Sequence, residues 1–116
     1  MLKLELMETD ARTAYEKAVD LFASGKSEEA VEALRSLIKT YPDHADAYES
    51  LGMVCYKMGR LDEAIEWTLK LAALRPKDSM AHTNLSVFYM KKGMKEKAEE
   101  EKAKATVLSF KNFSKH

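Results

Sequence analysis

The sequence repeats itself at a fixed interval. Gly25, Gly59 and Gly93 stand 34 residues apart, Ala30, Ala64 and Ala98 keep the same interval, and Pro42 returns one interval later as Pro76. A period of this length constrains the fold more than any local pattern. It marks a stack of one supersecondary unit whose apolar face is buried only by its neighbours. The clearest copy is ADAYESLGMVCYKMGRLDEAIEWTLKLAALRPKD, residues 45–78.

Within that copy, Tyr48, Leu51, Gly52, Cys55 and Tyr56 fall on one face of a helix. Gly59 suits the left-handed conformation that ends a helix, and Asp62 with Glu63 places negative charge at the start of the next one, where the helix dipole favours it. Ala64, Ile65, Thr68, Leu71 and Ala72 form a second apolar face, which Pro76 closes by removing a donor and disfavouring helix at Arg75. The unit is helix, tight turn, helix, stop. Small residues recur where the two helices must approach closely: Ala18, Gly52 and Ser86 in the first helices, Ala30, Ala64 and Ala98 in the second.

With period, glycine turn, paired small residues and terminal proline in place, the chain resembles tetratricopeptide-repeat proteins from Ala11 to about Phe110. The resemblance implies an all-α fold, an α-α superhelix (TPR solenoid) of three helix-turn-helix repeats with about six or seven helices. It divides the chain into a leader 1–10, repeats 11–44, 45–78 and 79–112, the last with a polar capping helix, and a tail 113–116. Cys55 and Thr68 stand where the family usually has an aromatic, Leu71 where it has a small residue, and Ala14 and Lys17 where it has large apolar ones.

Met1 to Glu8 carries Leu2, Leu4 and Leu6, which alternate like a strand, while Leu2 and Leu6 also share a helical face. The expectation is that this leader covers the end of the first repeat. Backward continuation of the first helix and pairing with another copy are the alternatives. Thr9 and Asp10 are N-cap candidates for the first repeat, Asp43 for the second and Asp78 for the third. In the last helix Glu99 and Thr106 replace Val31 and Ile38, or Ile65 and Ala72, at positions that face a following repeat. A polar outer face suits a terminal repeat, so the array is expected to stop at three units. Leu108, Phe110 and Phe113 add a short apolar end.

Charge and cysteine content narrow the function. Lys plus Arg number 19 and Asp plus Glu number 19, so the whole chain has no strong electrostatic preference for nucleic acid or an anionic membrane. The lysines beyond Lys91 are interrupted by glutamates, and this end, including Glu99, Glu100 and Glu101, reads as a solvated helical face. No segment has the pattern of a signal peptide or the length of a membrane span, which points to the cytoplasm. The one cysteine, Cys55, reads as a small buried hydrophobe. His44, His82 and His116 lie far apart, and there is no glycine-rich phosphate loop, so no enzyme, metal site or cofactor is expected. His82 reads as a packed residue with one nitrogen bonded.

What remains is surface. The resemblance implies a concave groove lined by the first helices. By register these give Arg12, Tyr15, Val19 and Phe22; then Asp46, Glu49, Met53, Tyr56 and Lys57; then Met80, Thr83, Val87, Met90 and Lys91. A methionine-rich centre suits a peptide or amphipathic helix, because unbranched polarizable side chains repack around different anchors, and Lys57 and Lys91 can hold carboxylates. The expected function is a protein–protein interaction module. The alternative is a self-associating scaffold, a homo-oligomer assembled through the same surface. Heat-shock chaperone tails are excluded as ligands, because Tyr15, Val19, Ser50, Met80 and Asn84 stand where the family's tail clamp has lysine, asparagine, asparagine, lysine and arginine. Trp67 stands where the other copies have Ala33 and Glu101, wedged against a neighbouring helix or displayed as a contact on the convex side.

Overall fold

A computed structural model describes the backbone of residues 2–114 and the side chains of residues 10–113. It holds six helices: α1 (Leu2–Ala23), α2 (Ser27–Thr40), α3 (Ala45–Lys57), α4 (Leu61–Leu74), α5 (Ser79–Lys91) and α6 (Lys95–Ser114). Each odd-numbered helix packs on the even-numbered one that follows, and α2 on α3 and α4 on α5 join the pairs into one superhelix. The four inner helices are 13 or 14 residues long, whereas α1 has 22 and α6 has 20.

The turn within each repeat is built the same way. At the end of α3, Gly59 N–H donates to the Tyr56 carbonyl and Arg60 N–H to the Cys55 carbonyl, with Gly59 at φ +78°. Gly25 and Gly93 repeat this geometry. A side chain at such a φ collides with its own carbonyl, so Gly59→Ala is expected to cost about 1–2 kcal/mol in urea unfolding, with the helices otherwise intact.

The helix starts depart in part from the sequence expectation. Asp78 caps α5, its Oδ1 accepting from Met80 N–H at 2.9 Å. At α3 the cap is His44 rather than Asp43: its Nδ1 accepts from Ala47 N–H at 3.2 Å, and its ring lies 5.4 Å from that of Tyr15. Thr9 and Asp10 are not at a helix start, because they lie inside α1, which continues back to Leu2. Residues 2–10 contain no glycine or proline and mostly good helix formers, so nothing ends the helix there. The leader's leucine side chains, and His116, lie outside the described residues. At the other end, the residue one period after Pro76 is Phe110, so α6 runs on past the point where α2 and α4 stop.

One core runs through the stack. Phe88, Leu34, Leu51, Leu71 and Leu85 are fully buried, and Val31, Ile38 and Ile65 are buried at the junctions between repeats. Gly52 is there because α4 passes so close: a Cβ at this position would lie 2.6 Å from the hydroxyl oxygen of Thr68, which donates to the Ala64 carbonyl at 2.7 Å. Cys55 is fully buried, and burial, then the nearby Glu63 carboxylate, pushes its thiol up from 9.0 to about 11. The thiolate is the reactive form, so a maleimide reagent is expected to label Cys55 only as fast as the protein unfolds. Because the folded thiol holds its proton more tightly than the unfolded one, its contribution to stability is complete below pH 9.0 and is lost as pH rises through about 11. Equal labelling rates in native buffer and in urea would contradict this.

Candidate interaction groove

The first helices of the three repeats present one side of the superhelix, and two hollows open on it. The smaller, about 190 Å³, is lined by Tyr15, Ala18, Val19, Phe22 and Leu34 of the first repeat and by Ser50, Met53 and Val54 of α3. Tyr15 spans the junction, its hydroxyl 2.7 Å from Ser50 Oγ. The larger, about 900 Å³, is lined by Tyr56 of α3, by Thr83, Ser86, Val87, Met90 and Lys91 of α5, and by Glu99, Lys102, Ala105, Thr106 and Ser109 of α6. A third hollow, about 340 Å³, joins Tyr56, Lys57 and Lys91.

Of the fourteen residues that register assigns to the groove, ten line these hollows: Tyr15, Val19, Phe22 and Met53 at one end, Tyr56, Lys57, Thr83, Val87, Met90 and Lys91 at the other, while Arg12, Asp46 and Glu49 line none of them. Met80 lines none of them. It sits in the first turn of α5 with half its surface exposed. The residues that line the hollows are not alike. Val19, Val87 and Met90 are 40, 46 and 49% exposed, and Lys57 and Lys91 are exposed. Tyr15, Phe22 and Tyr56 are half-buried against the core, and Met53 is half-buried beside them. Tyr56 stacks on Phe88 with ring centroids 4.8 Å apart, so its face is already spent on packing.

Sequence reasoning missed the α6 wall. Glu99 and Thr106 are exposed as expected of a terminal helix, yet with Lys102 and Ser109 they bound the hollow of about 900 Å³. The repeat itself held the signal. Thr83, Ser86, Val87, Met90 and Lys102 stand 68 residues, two periods, after Tyr15, Ala18, Val19, Phe22 and Leu34. The hollows of about 190 and 900 Å³ are the same place in two repeats, closed by α3 in the first and open in the third.

Away from the groove, another position pair changes from repeat to repeat. In the second repeat Tyr48 meets Trp67, ring centroids 5.9 Å apart, and Lys70 lies over the indole at 4.5 Å. Trp67 is half-buried and wedged against its neighbour. The same positions in the third repeat hold His82 and Glu101, with His82 Nδ1 2.6 Å from Glu101 Oε2 and Lys104 Nζ donating to Oε1 at 3.2 Å. His82 is thus packed with one nitrogen bonded. Glu101, expected to be solvated with Glu99 and Glu100, is instead buried, because it shares the inward face of α6 with Ala98 and Ala105. Among the described residues no cluster of three or more His, Cys, Asp or Glu side chains could hold a metal, and no helix is long and apolar enough to cross a membrane.

Comparison with known proteins agrees with this architecture. The family profile described as Tetratricopeptide repeat matches residues 15–79, more than half of the chain. No curated protein matches. Among solved structures, one titled "Crystal structure of MamA" superposes with a TM-score of 0.86 at 29% identity, covering 90% of this chain and 61% of that one. The chain thus spans about three-fifths of the length of that relative. A CopN-Scc3 complex matches with a TM-score of 0.83 at 21% identity, over 86% of this chain and 59% of the other. The second TPR of Spaghetti (RPAP3), bound to HSP90 peptide SRMEEVD, matches with a TM-score of 0.81 at 18% identity, over 91% of this chain and 98% of the other.

Proposed function

Since this chain belongs to the tetratricopeptide-repeat family, we propose that it is a non-enzymatic interaction module that holds a peptide or amphipathic helix along its concave side. One observation carries the reading: exposed apolar side chains from separate repeats, Val19, Val87 and Met90, lie on hollows of one face, beside the ammonium groups of Lys57 and Lys91. Side chains scattered over 73 residues of sequence, from Val19 to Lys91, share that face only through the fold.

The division of exposure assigns the roles. Val19, Val87 and Met90 supply the apolar contact, since their surface is still open to be buried, at roughly 25 cal/mol for each Å² removed from water. Tyr15, Phe22, Met53 and Tyr56 form the floor and keep it in shape. Lys57 and Lys91 select carboxylates on the ligand. Glu49 and Asp46 on α3 discourage an acidic ligand from running toward the first repeat. A domain of the same fold carrying a bound peptide supports the reading at the level of architecture. The ligand here differs from a chaperone tail, because none of the five clamp positions carries the clamp's residue.

A random peptide library displayed on phage and panned on the immobilised protein provides the probe. Peptides selected on the wild type are expected to be apolar with one or two carboxylates. They are expected to bind Met90→Lys at least about tenfold more weakly, equivalent to about 1.4 kcal/mol. Lys57→Glu is expected to shift selection toward basic peptides. Met90 is an exposed position, so the helical spectrum and unfolding midpoint of Met90→Lys stay close to wild type and isolate the groove effect. Selected peptides that bind wild type, Met90→Lys and Lys57→Glu equally would place the binding surface elsewhere.

A further inference from the structure

We propose that the chain stacks on itself head to tail, with α1 of a second copy seated in the hollow between α5 and α6 of the first. This inference goes beyond the peptide reading and does not rest on it. Its basis is the equivalence of the two hollows. In the first repeat the hollow measures about 190 Å³ because α3 closes it with Ser50, Met53 and Val54. In the third it measures about 900 Å³, and no helix of the described chain fills that place. The occupant the geometry calls for is a first helix of a tetratricopeptide repeat, in the register of α3.

The helix that fits by charge is the chain's own α1. One period before Ser50, Met53 and Val54 stand Glu16, Val19 and Asp20. Seated in the register of α3, they bring two carboxylates to a hollow whose cations are Lys91 and Lys102, with Val19 between them against Val87 and Met90. All four charged residues are exposed in the single chain. A second pairing follows from the junctions already present. Glu28 at the start of α2 pairs with Arg60, and Asp62 at the start of α4 pairs with Lys92. The matching acid at the start of α6 is Glu96, and the residue one period before Arg60 is Lys26. Glu96 of one copy and Lys26 of the next therefore repeat the pair made by Glu28 and Arg60.

Helix lengths agree with this seat. A first helix runs antiparallel to the second helix it packs on, so the carboxyl-terminal extension of α6 would lie beside the amino-terminal extension of the next copy's α1. These are the two long helices of the chain. Phe113, 80% exposed and one and two turns beyond Ser109 and Thr106 on the same face of α6, would be covered there. The seated helix becomes the next rib of the concave wall, so the groove continues from copy to copy. The contact joins unlike surfaces, and the assembly either grows or closes into a ring.

Light scattering of the full chain over a micromolar to millimolar series tests this. The wild type is expected to gain mass with concentration and to lose it in high salt, as charge pairs at a surface are screened. Two complementary variants then read the geometry. Glu16→Lys with Asp20→Lys disables the head, and Lys91→Glu with Lys102→Glu disables the tail. Each alone is expected to stay monomeric. Their equimolar mixture is expected to regain mass with concentration through alternating copies, since the wild-type tail of the first meets the wild-type head of the second and the two reversed surfaces, lysines on one and glutamates on the other, also complement each other. All four positions are exposed, and circular dichroism verifies that the variants are folded. A wild type that stays monomeric throughout overturns the proposal. So does self-association that survives in either variant, or a mixture that regains no mass.

Discussion

Replacing Gly52 by alanine is expected to destabilise the protein by about 1–3 kcal/mol, although alanine is the better helix former by roughly 1 kcal/mol. The reason lies across the helix pair. The added Cβ would stand 2.6 Å from Thr68 Oγ1, inside contact distance of an atom that is itself held by a 2.7 Å hydrogen bond to the Ala64 carbonyl. Thr68 is β-branched and fully buried, so it has no rotamer to retreat into without breaking that bond or striking a neighbour. The helices must move apart instead, and the second repeat carries contacts to both of the others. Thr68→Ala alone is expected to cost about 1–2 kcal/mol, through a small void and a lost bond to a carbonyl that α4 already uses. In the double variant the new methyl enters the space the hydroxyl left. The pair is therefore expected to be more stable than the sum of the two single losses by at least about 1 kcal/mol in urea unfolding. Additive losses would show that Gly52 serves helix α3 alone and not the approach of α4.

That constraint explains why the sequence was readable where it was. The period located Gly52 among the small residues, and the same reasoning placed the three turns, because a glycine at positive φ and an alanine between two helices leave a chain few other choices. Register alone named ten of the residues that line the hollows. What register could not supply was depth. Tyr56 and Val87 have the same claim on the groove from sequence, yet one is stacked on Phe88 and the other is open, and the difference depends on which aromatic the next repeat offers. The α6 wall was missed because Glu99, Lys102 and Thr106 read as solvent-facing, which they are, while also bounding a hollow a helix could fill. Glu101 was misread through its neighbours. A run of three glutamates suggests one solvated patch, but consecutive helical residues point 100° apart, and the third returns to the face of Ala98.

Removing the partner of that buried carboxylate is expected to be a costly change in the third repeat. His82→Ala should cost about 2–4 kcal/mol, because it leaves the largely buried Glu101 carboxylate with only the exposed Lys104 of its two described partners. The second repeat shows what the same site holds when it is apolar, namely Tyr48 against Trp67. Transplanting that pair as His82→Tyr with Glu101→Trp is therefore expected to leave stability unchanged or raise it by up to about 2 kcal/mol, since a packed apolar pair commonly matches a buried polar one. Glu101→Trp alone is expected to be worse than the double variant, with the indole packed beside an imidazole that has lost its acceptor. Chemical unfolding of the four proteins gives the coupling energy directly. A strongly favourable coupling would show that the two positions change as a unit and that each repeat tunes the seam between its helices independently of the groove. A double variant as damaged as His82→Ala would instead show that the His82–Glu101 pair is held by the shape of the third repeat around it, and that its surroundings differ from those of Tyr48 and Trp67 by more than these two side chains.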